Sequence, residues 1–132
     1  MFSSEFEKVL NDTNRLAMNF KHPIIDVEHL LYILMDTEEC IALLSSLGVE
    51  NKTIKDKIDL YFETDSNYRL SLQKAPTSDQ VEHSDAFKRV IQRAIFHAQA
   101  LGQNEVNCVF VLVAILSQPH TQAYRILQQL PC

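Results

Sequence analysis

Two arginines in one predicted helix have the spacing best suited to binding chemistry. Arg89 and Arg93 lie four residues apart, so a helix places both guanidinium groups on one face, one turn apart. Each guanidinium can bind a carboxylate through two parallel hydrogen bonds, a geometry that lysine does not reproduce. The spacing predicts a surface that binds carboxylates or backbone carbonyls of a partner. The alternative is a solvated helix face balanced by Asp85 and neighbouring acids.

The histidines and cysteines lack the spacing of a metal centre. Glu28-His29 is followed by a tyrosine at position 32, so the HExxH pattern of zinc proteases is absent. His22 could join a carboxylate or another histidine in a weak zinc site, but a specific site needs three or four ligands held together. We therefore expect no metal and no cofactor. A metalloprotein or enzyme assembled from His22, His29, His97 and the cysteines is the least favoured alternative.

Motifs for covalent catalysis and phosphate binding are also absent. The chain contains neither GxSxG nor GxxxxGK[ST], and its two glycines cannot build a glycine-rich phosphate loop. The sequence predicts a domain that is not itself an enzyme. Recognition is favoured over catalysis.

Composition restricts the class of partner. The net charge is −5, which disfavours nonspecific nucleic-acid binding because that needs a basic surface. The N-terminus lacks the basic start and apolar run of a signal peptide, and no apolar stretch approaches the roughly 18 residues that cross a bilayer. We expect a cytoplasmic protein that binds neither nucleic acid nor membranes.

The helical pattern of apolar residues occurs twice along the chain, and every matched pair of residues is separated by the same number of positions as Phe6 and Phe87. We call this separation the repeat offset. Apolar residues recur at it along both halves, which indicates one helical unit used twice and packed into a single core. We predict an all-α domain of about seven helices over residues 1–132, with repeat one at 4–61, a linker at 62–83 and repeat two at 84–130. The matched residues are Phe6, Val9, Leu10, Ala17, Phe20, Leu30, Leu31, Ile33, Leu34 and Met35 with Phe87, Val90, Ile91, Ala98, Leu101, Val111, Leu112, Ala114, Ile115 and Leu116.

Short polar side chains predict where the helices begin. Ser4 and Glu7 match a capping box for the first helix. Asp26 can cap a short apolar helix that ends at Met35 and is expected at the centre of the core. Ser84 can cap the helix that carries the arginines.

Three further residues have two possible roles. Glu28 either stabilises its helix N-terminus through the macrodipole or is an exposed anchor for a partner. Phe96 and Tyr124 are possible walls of a peptide groove between the repeats, although aromatic residues at such positions are more often core.

Two segments resemble a known family. Residues 26–31, DVEHLL, are similar to the VEHLL motif of the Clp ATPase N-terminal domain. Residues 87–106, FKRVIQRAIFHAQALGQNEV, resemble the second repeat of the A-type (ClpA) branch. The resemblance extends from about Glu5 to Leu130. It implies an all-helical, bacterial, protein-binding domain on a hexameric ATP-driven unfoldase, a chaperone that feeds protein substrates to the ClpP peptidase.

The resemblance also implies a site. The A-type domain docks the adaptor ClpS and contacts some substrates directly, and the adaptor surface would include Glu28, Ser84, Arg89 and Arg93. Pro23 stands where the family has a second acid, so one charge pair with the adaptor would be missing. Direct binding of exposed apolar peptide is one alternative. A free-standing domain that acts as an adaptor or decoy is another.

Overall fold

Seven α-helices make up most of the part of the chain that the structure describes. The computed structural model describes residues 2–64 and 82–130, and the all-α prediction is confirmed. The only strands in these ranges are two pairs of residues, β1 (Ile24–Ile25) and β2 (Glu82–His83). The helices are α1 (Ser4–Asn19), α2 (Val27–Leu34), α3 (Glu38–Ser46), α4 (Asn51–Thr64), α5 (Asp85–Ala100), α6 (Cys108–Ile115) and α7 (Gln122–Gln128).

Side-chain caps begin most of the helices, as short polar residues before apolar runs predict. The caps predicted at Asp26 and Ser84 are confirmed. The capping box at Ser4 is wrong, because Ser3 is the cap and its Oγ accepts from the N–H of Phe6 at 3.1 Å. The Ser3 N–H donates to the carbonyl of Val106 at 2.9 Å. This bond holds Ser3 in extended backbone, so the helix begins directly after it.

The two halves of the chain repeat each other in structure at the predicted repeat offset. Helices α1 and α5 have the same length and begin at equivalent positions, as do α2 and α6. The strand pairs cross between the halves: Ile25 pairs with His83, and Phe2 pairs with Val106 in an isolated parallel bridge. Val106 of the second half therefore pairs with the segment before α1, and Ile25 of the first half pairs with the segment before α5.

Helix α2 lies at the centre of the core. It packs against α1 and α4 from its own half and against α5, α6 and α7 from the other half. Leu30, Leu31 and Leu34 are fully buried, and burial of each such side chain contributes about 1.5–3 kcal/mol. The prediction that this helix is central is confirmed. No helix within the described ranges is both long and apolar enough to span a bilayer.

The ends of the predicted linker lie in regular elements. Helix α4 continues beyond Tyr61 to Thr64, with Phe62 buried, and β2 covers Glu82 and His83. The rest of the predicted linker lies outside the described residues. The assignment of repeats to 4–61 and 84–130 stays a prediction.

Candidate functional site

The two arginines lie on the exposed face of α5, one turn apart. Both Arg89 and Arg93 are exposed, and Ser84 begins the helix by accepting from the N–H of Phe87 at 3.0 Å. The opposite face of α5 fixes the direction of the arginines because it is anchored in the core. Its buried residues are Phe87, Val90, Ala94 and Ala98.

Arg89 is held in place by the segment between α6 and α7. Its Nε donates to Oε1 of Gln118 at 2.8 Å, and its Nη2 donates to Nε2 of His120 at 3.0 Å. Gln118 is itself buried and donates through Nε2 to Oγ of Ser117 at 3.2 Å. The guanidinium is therefore ordered before any partner arrives, which reduces the conformational entropy lost on binding.

A groove between α5 and α6 lies beside Arg93. We call it the basic groove, and its volume is about 400 Å³. Phe96, on its rim, is 65% exposed. An aromatic side chain this exposed beside an arginine is a combination enriched at the centres of protein interfaces. The groove is lined by Arg93, Phe96, His97, Val113, Ala114 and Ser117.

Neither arginine is neutralised by an acid within residues 2–64 and 82–130. The ion pairs found there join Arg15 to Asp12 and Lys55 to Asp36. The α5 face therefore keeps a local positive charge on a chain whose net charge is −5. Such a face attracts carboxylates and repels other basic surfaces.

Glu28 is not an exposed anchor, and this alternative from the sequence is wrong. Its side chain is 2% exposed, and its Oε2 accepts from the N–H of Ala123 at 2.8 Å. That N–H belongs to the first turn of α7, where a helix has unsatisfied donors. The other prediction was that Glu28 stabilises the N-terminus of its own helix, α2. The structure shows the carboxylate at the N-terminus of α7 instead.

Ser84 is also committed to contacts within the domain. Its Oγ accepts from the Phe87 N–H and donates to Oδ1 of Asp26 at 2.8 Å. Asp26 is the cap of α2 and accepts from the N–H of Val27 at 2.8 Å. One pair of side chains thus joins the N-termini of α2 and α5.

The two aromatic candidates do not share a groove. Phe96 lies on α5 at the basic groove, which Tyr124 does not line. Tyr124 is half-buried on α7, and its OH accepts from Nε2 of Gln128 at 3.0 Å. The basic groove also lies within the second half of the chain and not between the halves.

His22 and His29 form a buried, hydrogen-bonded pair. His29 Nδ1 accepts from the N–H of Asp26 at 2.9 Å, so its proton lies on Nε2, which donates to Nδ1 of His22 at 2.7 Å. Burial lowers the pKa of His22 to about 4. Burial, together with His22, lowers the pKa of His29 to about 3. Both rings are therefore neutral near pH 7, and the bond between them occupies one nitrogen of each.

One cluster of potential metal ligands occurs in the described part of the chain. Ligand atoms of Glu5, Glu39 and Cys108 lie within 4.8 Å of one another. Burial raises the pKa of Cys108 to about 12, and burial and then Glu5 raise the pKa of Glu39. These shifts favour the protonated forms of the cluster without an ion, and the thiol would have to lose its proton to bind a metal.

Sequence reasoning missed Gln118 and His120. They belong to a connection between α6 and α7 that is three residues longer than the one between α2 and α3. Thr37 caps α3 and Thr121 caps α7, and the two threonines make the same pair of hydrogen bonds. Their separation along the chain exceeds the repeat offset by three residues, which is the length of the insertion before Thr121. Aligning these two threonines would have shown the insertion.

The fold and the site together define an all-α domain built from a duplicated helical unit, with a basic groove on its second half. Residues 1–130 match the family described as the Clp repeat (R) N-terminal domain, and the chain belongs to this family. It is also similar to a "ClpA homolog protein" of Fuscovulum blasticum, with 30% identity over 128 residues. The match covers 97% of this chain and 16% of that relative. The resemblance seen in the sequence is confirmed.

Proposed function

We propose that this domain docks a ClpS-like adaptor through the α5 face and the basic groove. The observation that carries the proposal is the pair of exposed, outward-facing arginines beside an aromatic residue that is 65% exposed. The ordered guanidinium of Arg89 supplies a fixed geometry for carboxylates or carbonyls of the partner. Phe96 supplies apolar area that an adaptor can bury.

Glu28 and Ser84 have a positioning role in this proposal. The carboxylate of Glu28 fixes the start of α7, directly after the segment that supplies Gln118 and His120 to Arg89. Ser84 fixes the start of α5. Substitution of either residue would therefore act on docking through the position of the arginines and not through a lost contact with the adaptor.

Membership of the Clp repeat family supports a proposal for the wider role. In this proposal the domain recruits adaptor-bound protein substrates to an ATP-driven Clp unfoldase hexamer in the cytoplasm, and the ClpP peptidase degrades the unfolded chains. The matched relative is named as a ClpA homolog, and this chain spans 16% of its length. The motor activity would therefore belong to the rest of such a subunit.

An apolar groove supports direct peptide binding as a second candidate function. It has a volume of about 150 Å³ between α3, α6 and α7. Leu47 and Leu116 on its rim are 52% and 50% exposed, and Val113 lines both this groove and the basic groove. An exposed apolar segment of a substrate could pack there. The lining residues are Leu43, Leu44, Leu47, Leu112, Val113, Leu116, Leu127 and Leu130.

Isothermal titration calorimetry against a ClpS-type adaptor tests the docking proposal. We expect saturable one-to-one binding that weakens with added salt, because charged contacts at a surface are screened. The double variant Arg89→Glu/Arg93→Glu should bind at least tenfold more weakly, which is about 1.4 kcal/mol. The control Lys52→Glu/Arg125→Glu makes the same change in net charge at exposed positions on α4 and α7 and should bind like the wild type.

Two results would contradict adaptor docking at this face. One is unchanged affinity of the arginine variant when circular dichroism shows that it is folded. The other is adaptor binding that tolerates salt and that Leu47→Ser/Leu116→Ser abolishes while the arginine variant retains it. The second result would instead favour the apolar groove.

A further inference from the structure

The first half of the chain contains a groove equivalent to the basic groove. We call it the acidic groove. It lies between α1 and α2, which correspond to α5 and α6 at the repeat offset, and its volume is about 210 Å³. It is lined by Glu5, Lys8, Val9, Asp12, Ile33, Asp36 and Thr37.

Equivalent positions in the two grooves differ most in charge. Asp12 stands where the basic groove has Arg93, and Asp36 stands where it has Ser117. The lining of the acidic groove holds three carboxylates and one lysine. Arg15 pairs with Asp12 at 3.7 Å, and Lys55 on α4 pairs with Asp36 at 2.9 Å. All four side chains are partly or largely exposed, so these pairs cancel little of the field from the acids.

The grooves also differ in width. Ile33 occupies the position of Ala114, and Arg15 occupies that of Phe96. The larger aliphatic side chain fills space that is open in the basic groove, consistent with volumes of about 210 and 400 Å³. The exposed aromatic contact is also absent from the first half at this position.

We infer that the acidic groove excludes the adaptor, so that a pseudo-symmetric domain binds one adaptor and not two. The inference rests on the proposed docking at the basic groove. A partner carboxylate that fits Arg93 would face Asp12 at the equivalent position in the first half, where Asp36 also replaces Ser117. At the position of Arg89 the first half keeps a positive charge, on Lys8. Juxtaposed like charges are a strong means of rejecting a wrong pairing. Asp12, Ile33 and Asp36 are therefore specificity-determining residues of the domain.

Transfer of the basic-groove residues to the first half tests this inference. The variant Asp12→Arg/Arg15→Phe/Ile33→Ala/Asp36→Ser reproduces Arg93, Phe96, Ala114 and Ser117 at their equivalent positions. In calorimetry against a ClpS-type adaptor, the stoichiometry should rise from one to two adaptors per chain. When the same four changes are added to Arg89→Glu/Arg93→Glu, they should restore at least tenfold of the affinity that the arginine variant lost.

Controls separate this inference from general charge effects and from unfolding. The variant Asp56→Arg/Glu63→Ser makes a similar charge change at exposed positions on α4 and should leave one adaptor per chain. If Ile33→Ala destabilises the domain, Asp12→Arg/Asp36→Ser alone should still give a second, weaker binding event.

The outcomes are distinct from those that test the proposed function. One result would overturn the inference and leave the docking proposal intact. In it, the wild type binds one adaptor, the arginine variant loses this binding, and both folded transfer variants still bind only one adaptor. Two adaptors per wild-type chain would also overturn it. No binding by the wild type at any salt concentration would remove the docking proposal and this inference with it.

Discussion

Glu28 and Arg89 are both charged residues near the start of a helix, but their surroundings give them different roles. Glu28 is 2% exposed and accepts a hydrogen bond from the backbone of α7. Arg89 is exposed, and the side chains of Gln118 and His120 hold its guanidinium. A buried carboxylate must find its hydrogen bonds inside the domain, whereas an exposed and ordered guanidinium is available to a partner.

Removal of the Glu28 carboxylate should destabilise the domain. Glu28→Ala leaves the N–H of the buried Ala123 without its acceptor, and an unsatisfied buried donor costs about 1–3 kcal/mol. Glu28→Gln keeps an acceptor oxygen and should lose less. Urea unfolding followed by circular dichroism measures both losses. Equal stability of Glu28→Ala and the wild type would contradict the role assigned to this carboxylate.

The buried histidine pair should make the domain sensitive to acid. Unfolded histidine has a pKa near 6.5, whereas the folded pKa values are about 4 for His22 and about 3 for His29. The unfolded state therefore takes up protons first as the pH falls. Stability from the neutral pair is complete above pH 6.5, decreases below it, and stops decreasing once the folded state also binds protons near pH 3–4.

Urea midpoints measured between pH 7.5 and 4 test this dependence. His22→Gln removes one of the two titrating groups and should give a shallower decline than the wild type. His97→Gln replaces an exposed histidine outside the pair and is the matched control for the substitution itself. A slope of His22→Gln equal to that of the wild type would show that the pair does not govern the acid response.

At the scale of elements, the first helix of each half ends in the same motif with different residues. Lys21 after α1 has φ 57°, and the equivalent Gly102 after α5 has φ 71°. In each case the following residue donates back into the last turn: His22 to the carbonyl of Ala17, and Gln103 to that of Ala98. A left-handed residue at this position suits glycine, and a lysine there is strained.

Exchange of these two residue types should have opposite effects. Lys21→Gly should stabilise the domain by up to about 1 kcal/mol, because it relieves the left-handed strain. Gly102→Ala should destabilise it by about 1 kcal/mol, and the cost is conformational since a Cβ at Gly102 meets nothing within 4 Å. Thermal melts of the two variants would contradict this account if both changes shifted the melting temperature in the same direction.

The sequence predicted the helices better than the contacts between them. Apolar periodicity and short polar caps located α2 and its central position because both signals are local in the chain. The bond from Glu28 to Ala123 joins residues 95 positions apart, and no local pattern reports it. The hydrogen bond from Arg89 to Gln118 was missed for the same reason. In addition, the insertion before Thr121 shifts this segment out of the repeat offset.

The same limit applies to the candidate site. Spacing placed Arg89 and Arg93 on one face of a helix, and the structure confirms that arrangement. Residue type alone could not show that Ser84 and Glu28 point into the domain. Nor could it show that Phe96 and Tyr124 lie apart, since packing decides which face of each helix reaches solvent.

At the scale of the whole molecule, the halves share one core and should not fold separately. Helix α2 packs against three helices of the second half, so residues 1–64 alone would expose Leu30, Leu31 and Leu34. A unit this small rarely gains enough free energy from burial to offset its conformational entropy. We expect the 1–64 fragment at micromolar concentration to show little helix by far-ultraviolet circular dichroism. A cooperative melt of this fragment would contradict the expectation.

The crossed strand pairs bear on how such a fold could arise. Phe2 pairs with Val106 and Ile25 with His83, so the two contacts are related by an approximate two-fold axis, as are the two faces of an isologous interface. Two identical chains, each carrying one unit, could make the same pair of contacts with each other. The domain therefore has the geometry of a homodimer whose subunits have been fused by gene duplication. Once they were joined in one chain, the two grooves became free to acquire opposite charges, which identical subunits cannot do.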